Sequence, residues 1–253
     1  MSPSYLEREN APRLAYHKLA ADDRGAAFPT VMFCGGFRSD MEGTKALFLE
    51  DRCRERGQGY IRFDYSGHGA SGGDFNDGTI GRWTDDALAV LDQLTQGPVI
   101  IVGSSMGGWI ALLVALVRPE RICGLVGIAA APDFTRDIYE EEFNDGQREL
   151  FAQQGYIDVP SEYSEIPYRI NKALIDEGAQ HCLLDRGIAL KIPVRLMQGM
   201  QDSDVPWQKA YRIRNALPDD ADAEVLLIEN GDHRLSRPED LTLLDQQVQM
   251  LSS

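Results

Sequence analysis

Cysteine, histidine and basic charge are all scarce in this chain of 253 residues, and each scarcity removes a class of protein. The four cysteines, Cys34, Cys53, Cys123 and Cys182, are far apart and form no C-x-x-C pair. That spacing excludes a zinc module and a disulfide framework. Three of the four sit in apolar surroundings, where cysteine acts as a small core residue. A reduced compartment is expected, with no metal and no organic cofactor. Lys and Arg number 25 against 40 Asp and Glu, a net charge of −15. So acidic a surface repels phosphate backbones and anionic lipid, which argues against nucleic-acid binding. No apolar run approaches the ~18 residues of a membrane span. The stretch Met1–Glu7 lacks the basic and apolar segments of a secretory signal. From these absences we expect a cytoplasmic protein.

Short apolar runs alternate with longer helical patterns, the rhythm of a parallel sheet built from βαβ units. Strands are predicted at Thr30–Cys34, Gly59–Asp64, Pro98–Val102, Ile122–Ala129, Pro193–Gln198 and Glu224–Glu229. Leu14–Leu19 alternates in period two and reads as an edge strand. Helices are predicted over Thr44–Arg56, Ile80–Thr95, Ser105–Val117, Trp207–Ala216 and Leu241–Leu251. No internal repeat or low-complexity tract is present, and the length suits one domain spanning residues 1–253.

One stretch breaks the rhythm. Residues 133–190 separate two predicted strands by far more than a normal connection, and long loops of this kind are often active-site lids. They carry thirteen acidic against five basic residues, and the aromatics Phe134, Tyr139, Phe143, Phe151, Tyr156, Tyr163 and Tyr168. The segment is expected to be a cap, because it leaves the strand edge where open α/β sheets bind ligands. The alternative is a helical insertion that only completes the core.

Gly103-Ser104-Ser105-Met106-Gly107 fits G-x-S-x-G between an apolar strand and an apolar helix. That context makes the motif a nucleophile elbow, in which a strained turn lifts the serine clear of the sheet. Gly69-Ala70-Ser71-Gly72-Gly73 fits the same pattern, but turn formers follow it (Asp74, Asn76, Asp77 and Gly78) rather than a helix. Ser105 is therefore the expected nucleophile. A serine hydroxyl needs a base held by a third group. In an elbow the partners follow in the order Ser, Asp or Glu, His. Of four histidines, His17 and His68 precede Ser105 and His181 falls in the presumed cap. His233, in a turn after the last predicted strand, is the expected base. Asp202 and Asp204 both follow the strand Pro193–Gln198, and the earlier turn position favours Asp202 as the acid. Asp232 is too close in sequence to orient its neighbour's ring, and Asp185 lies in the cap.

Charge that develops on oxygen during acyl transfer needs fixed N–H donors. The N–H of Met106, directly after the nucleophile, is one. The N–H of Phe37, in the loop Gly35-Gly36-Phe37 after the strand Thr30–Cys34, is the other. Arg38 borders the pocket or the surface. Gly67-His68-Gly69 reads as a structural turn fixed by Asp64. Trp109 reads as core and Trp207 as packing.

Together these residues resemble the α/β-hydrolase family over nearly the whole chain. A narrower similarity, to its mammalian mitochondrial palmitoyl-protein thioesterase and acyl-glucuronide esterase branch, lies in several stretches. These include Gly43–Leu47, Arg62–Gly67, Val102–Trp109, Ser161–Ser164, His181–Leu184 and Val205–Trp207. The resemblance implies a mostly parallel central sheet flanked by helices, with a helical cap inserted after the sixth core strand. It implies a nucleophile at Ser105, an acid at Asp202, a base at His233, and oxyanion donors at Phe37 and Met106. The expected reaction is cleavage of a carboxylic ester or thioester, in a small-molecule or acylated substrate, through an acyl-enzyme. Peptide or C–C bond hydrolysis by the same triad is the alternative chemistry, and a non-catalytic ligand-binding homologue the alternative class. Two departures stand out: no transit peptide is visible, and Gly35-Gly36 replaces the family's usual His-Gly.

Overall fold

The computed structural model describes residues 2–159 and 168–252, so the stretch Ser161–Ser164 and Tyr163 lie outside the described residues. The sheet opens with β1 (Ser4–Leu6), β2 (Leu14–Leu19), β3 (Thr30–Cys34), β4 (Tyr60–Phe63), β5 (Val99–Ser104) and β6 (Ile122–Ile128). An insertion carrying β7 (Tyr156–Val159) and β8 (Tyr168–Asn171) follows, before β9 (Val194–Gly199) and β10 (Ala223–Ile228) return to the sheet. Among the described residues the main sheet has eight strands in the order β1-β2-β4-β3-β5-β6-β9-β10. From β4 through β10 every pairing in it is parallel, while β1 and β2 pair antiparallel. This is the mostly parallel sheet that the sequence implies. The strand expected at the edge, β2, is covered by β1, which at three residues is too short to show a period.

The central strands are buried on both faces, which is why they read as unbroken apolar runs. On one face α2 (Ile80–Leu94) and α3 (Met106–Val117) close a core around Met32, Ile101, Trp83 and Trp109. On the other, α1 (Thr44–Arg56) and the C-terminal α8 (Pro238–Leu251) cover Val31, Val102 and Val126. The helix α2 buries Ile80, Trp83, Ala87, Val90 and Leu91, a single face at helical spacing. In contrast α3 is buried all round from Met106 to Ala115, as its uninterrupted apolar sequence requires. The remaining outer helix, α7 (Gln208–Ala216), packs on β9 and β10.

The insertion leaves β6 as α4 (Phe134–Asp137), which runs into one wide helical turn at Ile138–Glu142. It continues through α5 (Asp145–Gln154) and ends in α6 (Lys172–Gly178). Between α5 and α6, β7 and β8 pair antiparallel, so the segment is mixed rather than wholly helical. Asp133 joins its two ends. Its buried carboxylate accepts the N–H groups of Leu183 (2.8 Å) and Leu184 (3.0 Å), fifty residues on. An ion pair from the buried Lys209 of α7 to Asp137 of α4 fastens the same region to that outer helix.

Candidate active site

Because β3, β5, β6, β9 and β10 run parallel, their C-terminal ends open on one edge of the sheet. The loops there carry Phe37, Ser105, Asp202 and His233. Parallel sheets bind ligands at this edge.

Ser105 is the single residue between β5 and α3, with φ +54° and ψ −119°. An L-residue holds that conformation only where its surroundings impose it. They do so here through three backbone bonds. The Ser105 N–H donates to the Ile128 carbonyl (2.9 Å), and the Ser105 carbonyl accepts from Gly108 (2.9 Å) and Ala131 (3.1 Å). The glycines of the motif answer to close approach. A Cβ at Gly107 would come within 2.1 Å of the Cys34 carbonyl oxygen, and one at Gly103 within 2.2 Å of the Gly107 carbonyl oxygen. Met106 begins α3, so its N–H has no carbonyl partner within the helix.

His233 and Asp202 form a pair. The Nδ1 of His233 lies 2.9 Å from Asp202 Oδ2 and 3.1 Å from Oδ1. The acid side chain is fully buried, and the imidazole is 16% exposed. Asp202 Oδ1 also accepts the N–H groups of Asp204 (2.9 Å) and Val205 (2.8 Å), and Oδ2 accepts the Gln198 amide (2.9 Å). Burial pushes the Asp202 carboxyl up, but the His233 ring and the two backbone N–H groups outweigh it, and the group sits below its ordinary value. Asp204, the alternative acid, does not reach Nδ1. Its carboxylate lies 3.9 Å from His233 Nε2, on the other side of the ring.

Ser105, His233, Phe37, Arg38 and Asp204 line one cavity of about 770 Å³. The insertion gives it an apolar wall of Phe134, Ile138, Val159 and Ile170, with Glu142 as the acidic exception. Burial, followed by the nearby charges of Asp137, Glu141 and Asp204, pushes the Glu142 carboxyl up. Opposite in character are the residues from α1 and the His233 loop: Thr44, Lys45, Arg234 and Ser236. Burial drives the Lys45 ammonium down to about 8, and its Nζ donates to the Arg234 carbonyl. No group of three or more His, Cys, Asp or Glu side chains among the described residues is arranged to hold a metal.

The other residues singled out from the sequence have structural partners. The Ser71 hydroxyl donates to the Asp64 carbonyl (2.7 Å) and accepts the Ala15 N–H (2.8 Å), so it is occupied in a turn. Asp64 fixes that turn as expected, accepting from Met41 (2.7 Å) and Ala70 (2.8 Å). His181 pairs with Glu177, and Asp185 with Arg136. Trp109 is buried and donates from Nε1 to the His181 carbonyl (3.2 Å), and Trp207 packs edge-on against Tyr211. Two residues at the site escaped sequence reasoning. Gln198, a buried polar residue next to the apolar Leu196 and Met197 of β9, carried a faint signal in that contrast. Lys45 lies in the stretch Gly43–Leu47 but carries no signal of its own role, because its partner is 189 residues away.

The chain is similar to proteins already described. A family model for the alpha/beta hydrolase family matches residues 31–242. A Bos taurus protein named palmitoyl-protein thioesterase ABHD10, mitochondrial, is 40% identical over 244 residues, covering 96% of this chain and 78% of the relative. The structure of alpha/beta hydrolase domain-containing protein 10 from mouse superposes with a TM-score of 0.90 at 36% identity, covering 99% of this chain and 98% of the other. A crystal structure from Agrobacterium vitis S4, described only as a hydrolase, superposes with a TM-score of 0.92 at 42% identity, covering 100% and 97%. The cattle relative is named as mitochondrial, as are its mouse and human counterparts. That finding overturns the expectation of a cytoplasmic protein, which rested on the absence of targeting signals.

Proposed function

The chain belongs to the alpha/beta hydrolase family, and from that membership we propose that it hydrolyses an acyl thioester or carboxylic ester through an acyl-enzyme on Ser105. His233 takes the Ser105 proton as the hydroxyl attacks the acyl carbonyl, and Asp202 holds the imidazole with Nδ1–H toward its carboxylate. The N–H groups of Phe37 and Met106 receive the oxygen that turns negative. His233 then gives its proton to the departing thiol or alcohol. Water repeats the sequence on the acyl-enzyme and releases the carboxylic acid.

One observation carries this reading: Ser105, in its constrained turn, and the Asp202-paired ring of His233 face the same cavity. The relatives named as palmitoyl-protein thioesterases favour a long acyl chain, and the apolar wall from the insertion suits one. On this reading residues 133–190 are a cap on a single domain, and they set the substrate. A panel of p-nitrophenyl esters and acyl thioesters of graded chain length tests it, together with labelling by a fluorophosphonate probe. We expect labelling at Ser105 and turnover that rises with acyl length. A wild-type protein that neither reacts with the probe nor hydrolyses any member of the panel would refute the reading.

A further inference from the structure

The loop bearing Phe37 is held in an unusual form. Ser39 donates to the Gly36 carbonyl from its N–H (3.2 Å) and its hydroxyl (2.9 Å), closing a turn with Phe37 and Arg38 at its centre. Arg38 has φ +55°, at a turn position where a positive φ normally calls for glycine. The peptide between Phe37 and Arg38 can relax to negative φ by rotating, unless something holds its N–H. That N–H donates to His68 Nε2 at 3.2 Å.

His68 is built to accept this bond. Its Nδ1 faces the Ser66 carbonyl at 3.3 Å, which assigns the ring proton to Nδ1 and leaves Nε2 as an acceptor. The ring is buried and meets Tyr65, Phe75 and Trp83 edge-on, with centroids 5.0–5.6 Å away. Burial drives its pKa down to about 4, with Asp86 and Arg38 the charged neighbours, so the acceptor persists at neutral pH. Phe37 packs on the same aromatic group, 4.9 Å from Phe75 and 5.9 Å from Trp83. The Arg38 guanidinium lies over the Phe75 ring at 4.7 Å.

We propose that His68 is a positioning residue of the hydrolytic reaction, locking the peptide after Phe37 so that the Phe37 N–H stays aimed at the substrate oxygen. The proposal rests on the acyl-transfer reading above. His68 never touches substrate on this account. It acts through Arg38 by opposing the relaxation of a strained turn.

The test is His68→Phe, which keeps a ring in the aromatic group and removes the acceptor. Losing one oxyanion donor costs about 10²–10³ in kcat, so a misaimed donor should cost about 10- to 100-fold. KM should stay within about twofold, since the bond forms chiefly in the transition state. The inhibition constant of a trifluoromethyl ketone, which forms a charged tetrahedral adduct on Ser105, should rise by the same factor as kcat falls. Adding Arg38→Gly should recover most of that loss relative to Arg38→Gly alone, because glycine holds the positive φ unaided. A stability defect alone would move neither the parallel between kcat and the inhibition constant nor the rescue. If His68→Phe fails to fold, His68→Leu, which also lacks the acceptor, is measured against the same two criteria. Wild-type kcat in a folded variant, an unchanged inhibition constant, or no rescue by glycine would overturn the proposal. An inactive wild-type protein would instead refute the hydrolase reading itself.

Discussion

The imidazole of His233 turns Nδ1 to the carboxylate of Asp202 at 2.9 Å, and Asp202 is the only one of two neighbouring acids to reach that nitrogen. Asp204 approaches Nε2 from the opposite side at 3.9 Å. Both acids follow the same strand, and the geometry sets the earlier of the two against Nδ1. Asp202→Asn should therefore lower kcat by a factor on the order of 10⁴, the scale seen when an orienting carboxylate becomes an amide. Asp204→Asn should cost about tenfold or less. Steady-state kinetics on one ester decide the matter, and equal losses would contradict the assignment.

The two G-x-S-x-G serines should respond in opposite ways. Ser105→Ala should abolish hydrolysis and probe labelling with little change in melting temperature. Ser71→Ala should keep most of the activity but lose about 1–3 kcal/mol, since the Ala15 N–H would be left without its acceptor. Thermal melts beside activity assays expose any reversal.

His68 should make stability depend on acid. Its folded pKa, about 4, lies below the ordinary histidine value of 6.5, so the unfolded chain binds the proton more readily. Stability from this group is therefore fully present above pH 6.5 and falls as pH drops toward 4. The loss should be on the order of 3 kcal/mol. Urea unfolding of wild type and His68→Phe across this range reads the difference. Parallel curves would show that the burial of the ring is not felt by the fold.

Lys45 should be unusually reactive. With its pKa lowered to about 8, roughly half the amine is neutral at that pH. An acylating reagent applied to the Ser105→Ala variant, which cannot consume it, should label Lys45 ahead of the other lysines. Peptide mapping by mass spectrometry gives the order, and preferential labelling of a different lysine would count against the depressed value.

What the sequence revealed follows from how local each signal is. β3 and β5 were legible because strands buried on both faces must be apolar throughout. The elbow was legible because a motif and its flanking elements are contiguous. That Ser105, Asp202 and His233 lie at one edge was legible because successive parallel strands end there. Illegible features depend on partners that folding alone supplies. β1 exists by pairing with β2, and the ribbon of β7 and β8 by pairing with itself. Gln198 matters only once Asp202 lies against its amide. In sequence His68 reads as part of a structural turn, and no spacing connects it with Arg38 thirty residues earlier. Location is not written in the fold, and the cytoplasmic expectation failed for that reason.

The carboxylate of Asp133 has a consequence beyond stability. By taking the N–H groups of Leu183 and Leu184, it ties off a fifty-residue excursion at its neck. The walls that the segment gives the cavity, Phe134, Ile138, Val159 and Ile170, are thereby hung from a closed neck instead of two loose ends. The neck is not the whole attachment, because Lys209 holds Asp137, Trp109 donates to the His181 carbonyl, and the Gly81 N–H donates to Glu177. A transplant of this segment would therefore have to carry its interface along with its neck.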